Sequence, residues 1–423
     1  MKKVLIIANL LYSSPRIPGL AKYLPEFRWE PAILASCPSK LTYKFRVIET
    51  PYRGDIFWLW RKVFKLLGFN TGKSILNQVK EKIGISSKKS FVDYIFNLYM
   101  TLFAYPDEEK RWEKSALKIA NKLLEKEKFD AIISTSSPVT AHIIADKLKI
   151  RYKIPWIADL RDLWTQNHNY PYPWWRKVFE RRLELKTLLL ADVLVTVSSI
   201  WTERLKNLHK RDTVYTIVNG FDSGEVDEPP VELIPKFIIT YTGQIYDGKQ
   251  DPLKFLVALK DLILDQTVNP DDVEVRFYGP EKFWLQKKIE EYKLSERVKQ
   301  YGMVPRKDSL KKQRESQILL LLNWEDEEEK GIYPGKIFEY LAARRPILAT
   351  GGFGSDVVDD LLKETKAGFY ASDIKKIKQH LKDSYNEYKQ KGKVEYHGDK
   401  EAIDKYSQLE MAKKFSDVLN QIT

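Results

Sequence analysis

The stretch "FIITYTGQIYDGKQDPLKFLVALKDLI" occupies residues 237–263. It opens with a continuous branched and aromatic run, which predicts a buried strand. Gly243 ends that run, a polar loop carrying Gly248 and Lys249 follows, and an apolar pattern of helical period begins after Asp251 and Pro252. Strand, glycine loop and helix form the unit of a doubly wound parallel sheet, whose ligands bind where strand ends run into helix starts. Glycine lets the backbone approach a ligand closely, and lysine offers a point charge to a phosphate. Gly243 and Lys249 are therefore candidate ligand-contacting residues.

The same alternation extends in both directions. Upstream, strands are expected in "KVLIIAN" (3–9), "PAILAS" (31–36), "DAIISTSS" (130–137), "PWIADL" (155–160), "ADVLVTVSS" (191–199) and "TVYTIVNG" (213–220), with helices such as "LAKYLPEF", "TAHIIADKLKI" and "FERRLELKTLLL" among them. Downstream, "VEVRFYG", "VKQYG", "QILLLLN" and "PILAT" continue the series with helical segments between. The acidic, proline-bearing segment "DSGEVDEPPVELIPK" (222–236) lacks periodicity and reads as a linker. The expected organisation is an N-terminal Rossmann-like domain (1–222), a second one (223–400), and a C-terminal amphipathic helix (401–423) packing back on the first. Two such sheets facing one another would form a cleft.

At 423 residues the chain is long enough for a sizeable core in each domain. Lys and Arg number 71 against 58 Asp and Glu, a net charge of +13 that favours phosphate-bearing or anionic partners. Cys37 is the single cysteine, so an intrachain disulfide is excluded and a reducing, cytoplasmic setting is expected. The N-terminal apolar run is short and reads as a strand, not a signal peptide. No stretch reaches about 18 consecutive apolar residues, the length of a membrane span. Five histidines are scattered without metal-ligand spacing.

A second signal lies in "EEEKGIYPGKIFEYLAARRPILATGG" (327–352). Gly331, Pro334 and Gly335 shape a loop at a helix start, where unpaired amides can receive an anion. Lys336 stands in the first helical turn, against the positive end of the helix dipole. Glu339, three residues on, shares its face. The pair can bind an anionic oxygen and two vicinal hydroxyls such as those of ribose, or it can be a solvated ion pair.

These stretches, together with "PRIPGLAKYLPEFRWEPAIL", "IPWIADLRDLW", "VNGFD" and "YSQLEMAKKF", resemble the retaining family-4 glycosyltransferases of the GT-B fold over nearly the whole chain. The resemblance implies a nucleotide-diphosphate sugar held mostly by the C-terminal half and an acceptor held by the N-terminal half. It implies Glu339 as the second glutamate of the E-x7-E motif, holding the donor ribose. The first glutamate falls on Gly331, a departure that Glu329 or the 331–335 amides would have to cover. Lys249 matches the family's diphosphate-binding lysine. Gln244 stands where many members have arginine, which leaves Lys336 as the replacement cation. Val304 matches the loop that lines the base, and Tyr333 lies in the matched 333–349 stretch. On the acceptor side, Arg161 stands near the position of an active-site histidine, beside Asp159 and Asp162. Arg161 either acts in the site or pairs with one of those aspartates. His142 is either catalytic or a packing histidine. Arg16 and Gly19 fall where the family has its acceptor-side loop.

No carboxylate is placed for a double displacement, so the resemblance implies a front-face route in which the leaving diphosphate takes the acceptor proton. The absence of any Asp-x-Asp argues against a tightly bound metal, and no cofactor is expected beyond the co-substrate, a UDP-sugar foremost. Aromatic and basic residues interleave in 55–69, 92–106 and 170–182, which suits a membrane interface, a core or a dimer contact. The expected function is transfer of a hexose-type sugar onto a lipid-linked glycan, at the cytoplasmic face of the inner membrane and in surface polysaccharide or glycoconjugate synthesis. A nucleotide-sugar epimerase of the same fold and an inactive nucleotide-sugar or glycan-binding protein are the alternatives. Nucleic acid is not an expected partner, and oligomeric state is not legible.

Overall fold

The computed structural model describes residues 1–10, 15–36, 44–50, 98, 101–167, 172–225, 231–325, 330–352, 354 and 356–423. Cys37, Glu329, the 55–69 stretch and most of 92–106 lie outside the described residues. The chain forms two compact units. One comprises Met1–Val197, Trp201–Ile217 and Ala412–Thr423; the other comprises Ser198–Ile200 and Val218–Met411.

The first unit holds seven strands: β1 (Lys2–Ala8), β2 (Trp29–Ala35), β3 (Arg46–Glu49), β4 (Ala131–Thr135), β5 (Trp156–Leu160), β6 (Val193–Thr196) and β7 (Val214–Thr216). They pair in parallel in the order β3-β2-β1-β4-β5-β6-β7. The second unit holds β8 (Phe237–Thr242), β9 (Val273–Tyr278), β10 (Val298–Gln300), β11 (Ile318–Leu322), β12 (Ile347–Thr350) and β13 (Gly368–Ala371). These are also parallel, in the order β10-β9-β8-β11-β12-β13. Two Rossmann-like sheets are what the alternation of strand and helix predicts.

The central strands carry the clearest sequence signal because both of their faces are covered. Every residue of β8, β4, β5 and β11 is buried. In the second unit, one face of the sheet packs on Phe255, Leu259, Leu381 and Tyr385, and the other on Phe338, Leu341, Val358 and Leu361. At roughly 1.5–3 kcal/mol per buried large side chain, such layers anchor the strand ends that carry ligand loops.

β3 and β13 are not legible in advance. Both are four-residue edge strands whose side chains are nearly all exposed or half-exposed, so neither shows an apolar run. The first helix also differs from expectation. It spans Arg16–Tyr23 and is followed by a single 3-10 turn over Leu24–Phe27, so Arg16 and Gly19 lie in a helix and not in a loop. Among the described residues no helix is long and apolar enough to cross a membrane.

Candidate functional site

In the second sheet the strand order reverses between β8 and β11, and the crevice at their carboxyl ends is where such sheets take ligands. Two loops flank it, 243–252 after β8 and the residues from Asn323 onward after β11. They are tied together by the Glu325 N–H, which donates to the Lys249 carbonyl at 2.9 Å, and by Gln250 Nε2, which donates to the Leu322 carbonyl at 2.9 Å. Gly243 turns the chain at φ +103°, and a Cβ on Gly279 would lie 2.2 Å from the Gly243 carbonyl oxygen. Both positions therefore need glycine, one for its backbone angle and one for close approach.

The helix Lys336–Ala343 sets its first turn against this strand end. Lys336 Nζ donates to the Tyr241 hydroxyl, lies 3.4 Å from the Gln244 carbonyl and stands 4.0 Å from the centroid of the Tyr241 ring. The Tyr241 hydroxyl itself donates to the Gln244 carbonyl at 2.8 Å. Among the described residues no carboxylate pairs with Lys336. Burial pushes its ammonium down to about 7, with nearby Glu339 opposing the shift. A cation held by a phenol, a carbonyl and a ring face is arranged to receive an anion.

Glu339, one turn along, is already engaged. It accepts from Arg306 Nη1, and Gln313 Nε2 donates to its other oxygen at 3.2 Å. Gln313 also donates to Thr242 Oγ1 at 3.0 Å, and the Thr242 N–H donates to the Tyr340 hydroxyl at 3.0 Å. Sequence spacing places Lys336 and Glu339 on one helix face. It says nothing of Arg306, Gln313 or Tyr241, which other elements bring to that face. The only hint of Arg306 is its place in "YGMVPRKD", directly after Val304 and Pro305, where Val304 is half-buried at the start of the helix Arg306–Arg314.

Lys249 Nζ stands 5.7 Å from the centroid of the Trp324 ring, at the rim of the crevice. Gly335 is exposed and caps the helix Lys336–Ala343. Tyr333 packs its ring 5.9 Å from that of Phe338, and its hydroxyl is pushed up by burial and by Asp356. The Gly331 amide faces a carboxylate of the chain itself. It points at the Asp356 carboxylate, 3.5 Å away, which also accepts from Asn323 Nδ2 at 2.8 Å and from the Val357 N–H at 2.6 Å. Asp356 is thus the cap of the helix Val357–Thr365, and the backbone at Gly331 is drawn toward it.

In the first unit the structure places most of the expected acceptor-side and catalytic residues in the interior. Arg16 is wholly buried and forms a two-point pair with Asp159, Nε to Oδ2 at 3.0 Å and Nη2 to Oδ1 at 2.8 Å, with neither side chain exposed. Thr135 Oγ1 also donates to Asp159 at 2.9 Å, and the Phe415 ring covers the Arg16 guanidinium at 5.1 Å. Arg16 and Asp159 are therefore interior residues that hold strand ends together, and Gly19 is buried beside them in the same helix as Arg16. His142 is fully buried as well. Its Nδ1 lies 2.7 Å from Ser134 Oγ, and burial pushes the ring down to about 4, so it is neutral near pH 7 and packs in the interior. Arg161 donates to the Ser136 carbonyl at 2.9 Å and lies 3.5 Å from Asp162 Oδ2. Both follow the end of β5, where the Arg161 side chain is only 9% exposed and that of Asp162 is 46% exposed.

Among the described residues, Glu387, Glu395 and His397 bring ligand-type atoms within 4.8 Å of one another. Both carboxylates accept from Lys391, at 3.1 and 3.0 Å, so this cluster is an ion-pair network beyond the crevice.

Residues 97–225 match the profile of Glycosyltransferase Family 4. Among solved structures the chain is similar to HepE of Anabaena, in complex with UDP and glucose, at 12% identity and TM-score 0.62, covering 100% of both chains. It is similar to sucrose-phosphate synthase of Thermosynechococcus elongatus at 10% identity and TM-score 0.61, covering 100% of this chain and 99% of that one. A lipopolysaccharide outer core galactosyltransferase, WaaB, aligns at 13% identity and TM-score 0.55, with 100% and 99% coverage. No curated protein matches. Residues 97–225 thus carry the family-4 profile, and the whole chain shares the GT-B fold of these solved structures.

Proposed function

We propose that the protein transfers a hexose-type sugar, with retention, from a nucleotide-diphosphate donor to a glycan acceptor carried on a lipid. A UDP-sugar is the favoured donor, and surface polysaccharide or glycoconjugate synthesis at the cytoplasmic face of a membrane is the favoured setting. The observation that carries the donor assignment is Lys336, a cation that pairs with no carboxylate among the described residues, at the switch point of a Rossmann-like sheet. Structures of HepE of Anabaena with UDP and with UDP-glucose, in the same fold, support the choice of nucleotide.

In this reading Lys336, Lys249 and the start of the helix Lys336–Ala343 offset the diphosphate charge. Glu339 accepts from the ribose hydroxyls once the half-exposed Arg306 side chain releases it. The bond between the anomeric carbon and the leaving phosphate oxygen breaks, and the acceptor oxygen bonds to the same face. Its proton passes to the departing diphosphate. No step is routed through a metal. Arg161 and Asp162, not His142, are the acceptor-side groups.

Calorimetric titration with UDP tests the donor site. Glu339→Ala is expected to weaken binding by about 1–3 kcal/mol, the loss of charge-assisted hydrogen bonds. Unchanged affinity would remove Glu339 from the site. Release of an epimerised sugar without acceptor would move the assignment to an epimerase. UDP binding with neither transfer nor donor hydrolysis would move it to a binding protein.

A further inference from the structure

The helix Trp174–Leu188 is built inside out. A helix on a globular surface turns its apolar stripe inward and its charges to water. Here Glu180 and Glu184 are 2% and 0% exposed and Arg176 is 0% exposed, while Trp174 is 78%, Phe179 53% and the following Leu189 74% exposed. The buried charges are matched. Arg176 Nε donates to Glu180 at 2.6 Å, and Glu184 accepts from the Thr165 N–H at 3.1 Å. The Arg176 guanidinium also donates to the Thr101 and Ala104 carbonyls at 2.8 and 2.6 Å, which fixes beside the helix a segment whose Leu102 and Phe103 are exposed too.

The outward residues are of two kinds only. Trp174, Trp175, Val178 and Phe179 supply apolar surface; Lys177, Arg181, Arg182 and Lys186 supply positive charge. The acids of this helix all face inward or sideways, so the face carries no exposed negative charge of its own. A recess of about 350 Å³ opens alongside, lined by Lys177 and Arg181 one turn apart, with Gln166 and Asn207 opposite. Its size and charge suit a phosphate headgroup. Exposed aromatic surface on this scale needs a partner. A second copy is disfavoured because a twofold contact would set the four cations of one face against the four of the other.

We infer that this face docks the first unit on an anionic lipid surface. The indole and phenyl rings enter the interfacial layer, and Lys177, Arg181 and Arg182 meet lipid phosphates. The inference deepens the proposed function by giving a lipid-borne acceptor a place to be met. It stands on residues separate from the donor loops, so the two can fail independently.

The test is co-sedimentation of the full chain with vesicles. Binding is expected to phosphatidylcholine containing about 30% phosphatidylglycerol, with a blue shift of tryptophan emission, and not to phosphatidylcholine alone. Lys177→Gln, Arg181→Gln and Arg182→Gln are each expected to weaken binding about fivefold. Trp174→Ser with Phe179→Ser is expected to abolish it. Each variant should keep the wild-type affinity for UDP, which shows that it is folded. Failure of the wild type to bind anionic vesicles, or full binding by the triple glutamine variant, overturns the inference. So does a dimer in sedimentation velocity that Trp174→Ser dissolves while vesicles are ignored.

Discussion

Binding of UDP is expected to take up a proton at Lys336, and the Lys336→Met variant isolates the effect. In the ligand-free protein burial holds this ammonium down to about 7. One phosphate charge about 4 Å away, at an effective dielectric of about 20, attracts it by about 4 kcal/mol. That equals roughly three pH units, so the bound lysine would titrate near pH 10. The free site is neutral above pH 7 while the bound site stays charged to about pH 10. Affinity should therefore fall by about tenfold per pH unit within that window. The terminal phosphate, with a second pKa of about 6, is already ionised there and adds little. Calorimetry at pH 8 in two buffers of different ionisation heat counts the protons, and uptake of about 0.9 per UDP is expected. Lys336→Met should abolish the uptake, flatten the pH dependence and cost about 1.5–3 kcal/mol of affinity at pH 7. The folding side has its own sign. The folded pKa lies below the unfolded one, so the unfolded chain binds more protons between about pH 7 and 10.5 and stability rises with pH there. The methionine variant should accordingly gain more stability at pH 6 than at pH 10. Wild-type binding without proton uptake, or the same pH slope in the variant, would refute the assignment of Lys336 as the diphosphate cation.

Two further outcomes concern the first unit. Arg16→Met leaves Asp159 charged in the interior without its paired cation and is expected to cost about 3–5 kcal/mol in urea unfolding. Replacing both partners by apolar residues should recover most of that, and a double variant as unstable as the single one would contradict the pairing. His142 has a folded pKa of about 4, below the usual 6.5, so the unfolded chain binds the extra proton between those values. Stability should drop as pH falls from 6.5 toward 4, by up to about 3 kcal/mol, and His142→Phe should lack that component; an identical acid profile for the two proteins would show that His142 is not held neutral.

How much of this was legible beforehand depends on sequence distance. β8, β4 and β5 announce themselves because strands covered on both faces must be apolar throughout, and Gly243 marks the strand end whatever surrounds it. Lys336 and Glu339 share a face because a helix brings residues three apart together, a local fact that needs no tertiary structure. β3 and β13 stay hidden because edge strands need no continuous run.

The sequence by itself determined the repeated strand–loop–helix unit, its two sheets and the presence of a cation and a carboxylate on one helix face. Only the tertiary structure decided what those groups meet. Arg306 and Gln313 reach Glu339 from another helix, and Asp159 takes up Arg16 from 143 residues away. The Gly331 amide turns to Asp356, and the inward pull of Arg176 on the 101–106 carbonyls turns the rings of its helix outward. These pairings follow from strand order and layer packing, which settle which distant side chains share one desolvated space. Spacing along the chain carries no record of that choice.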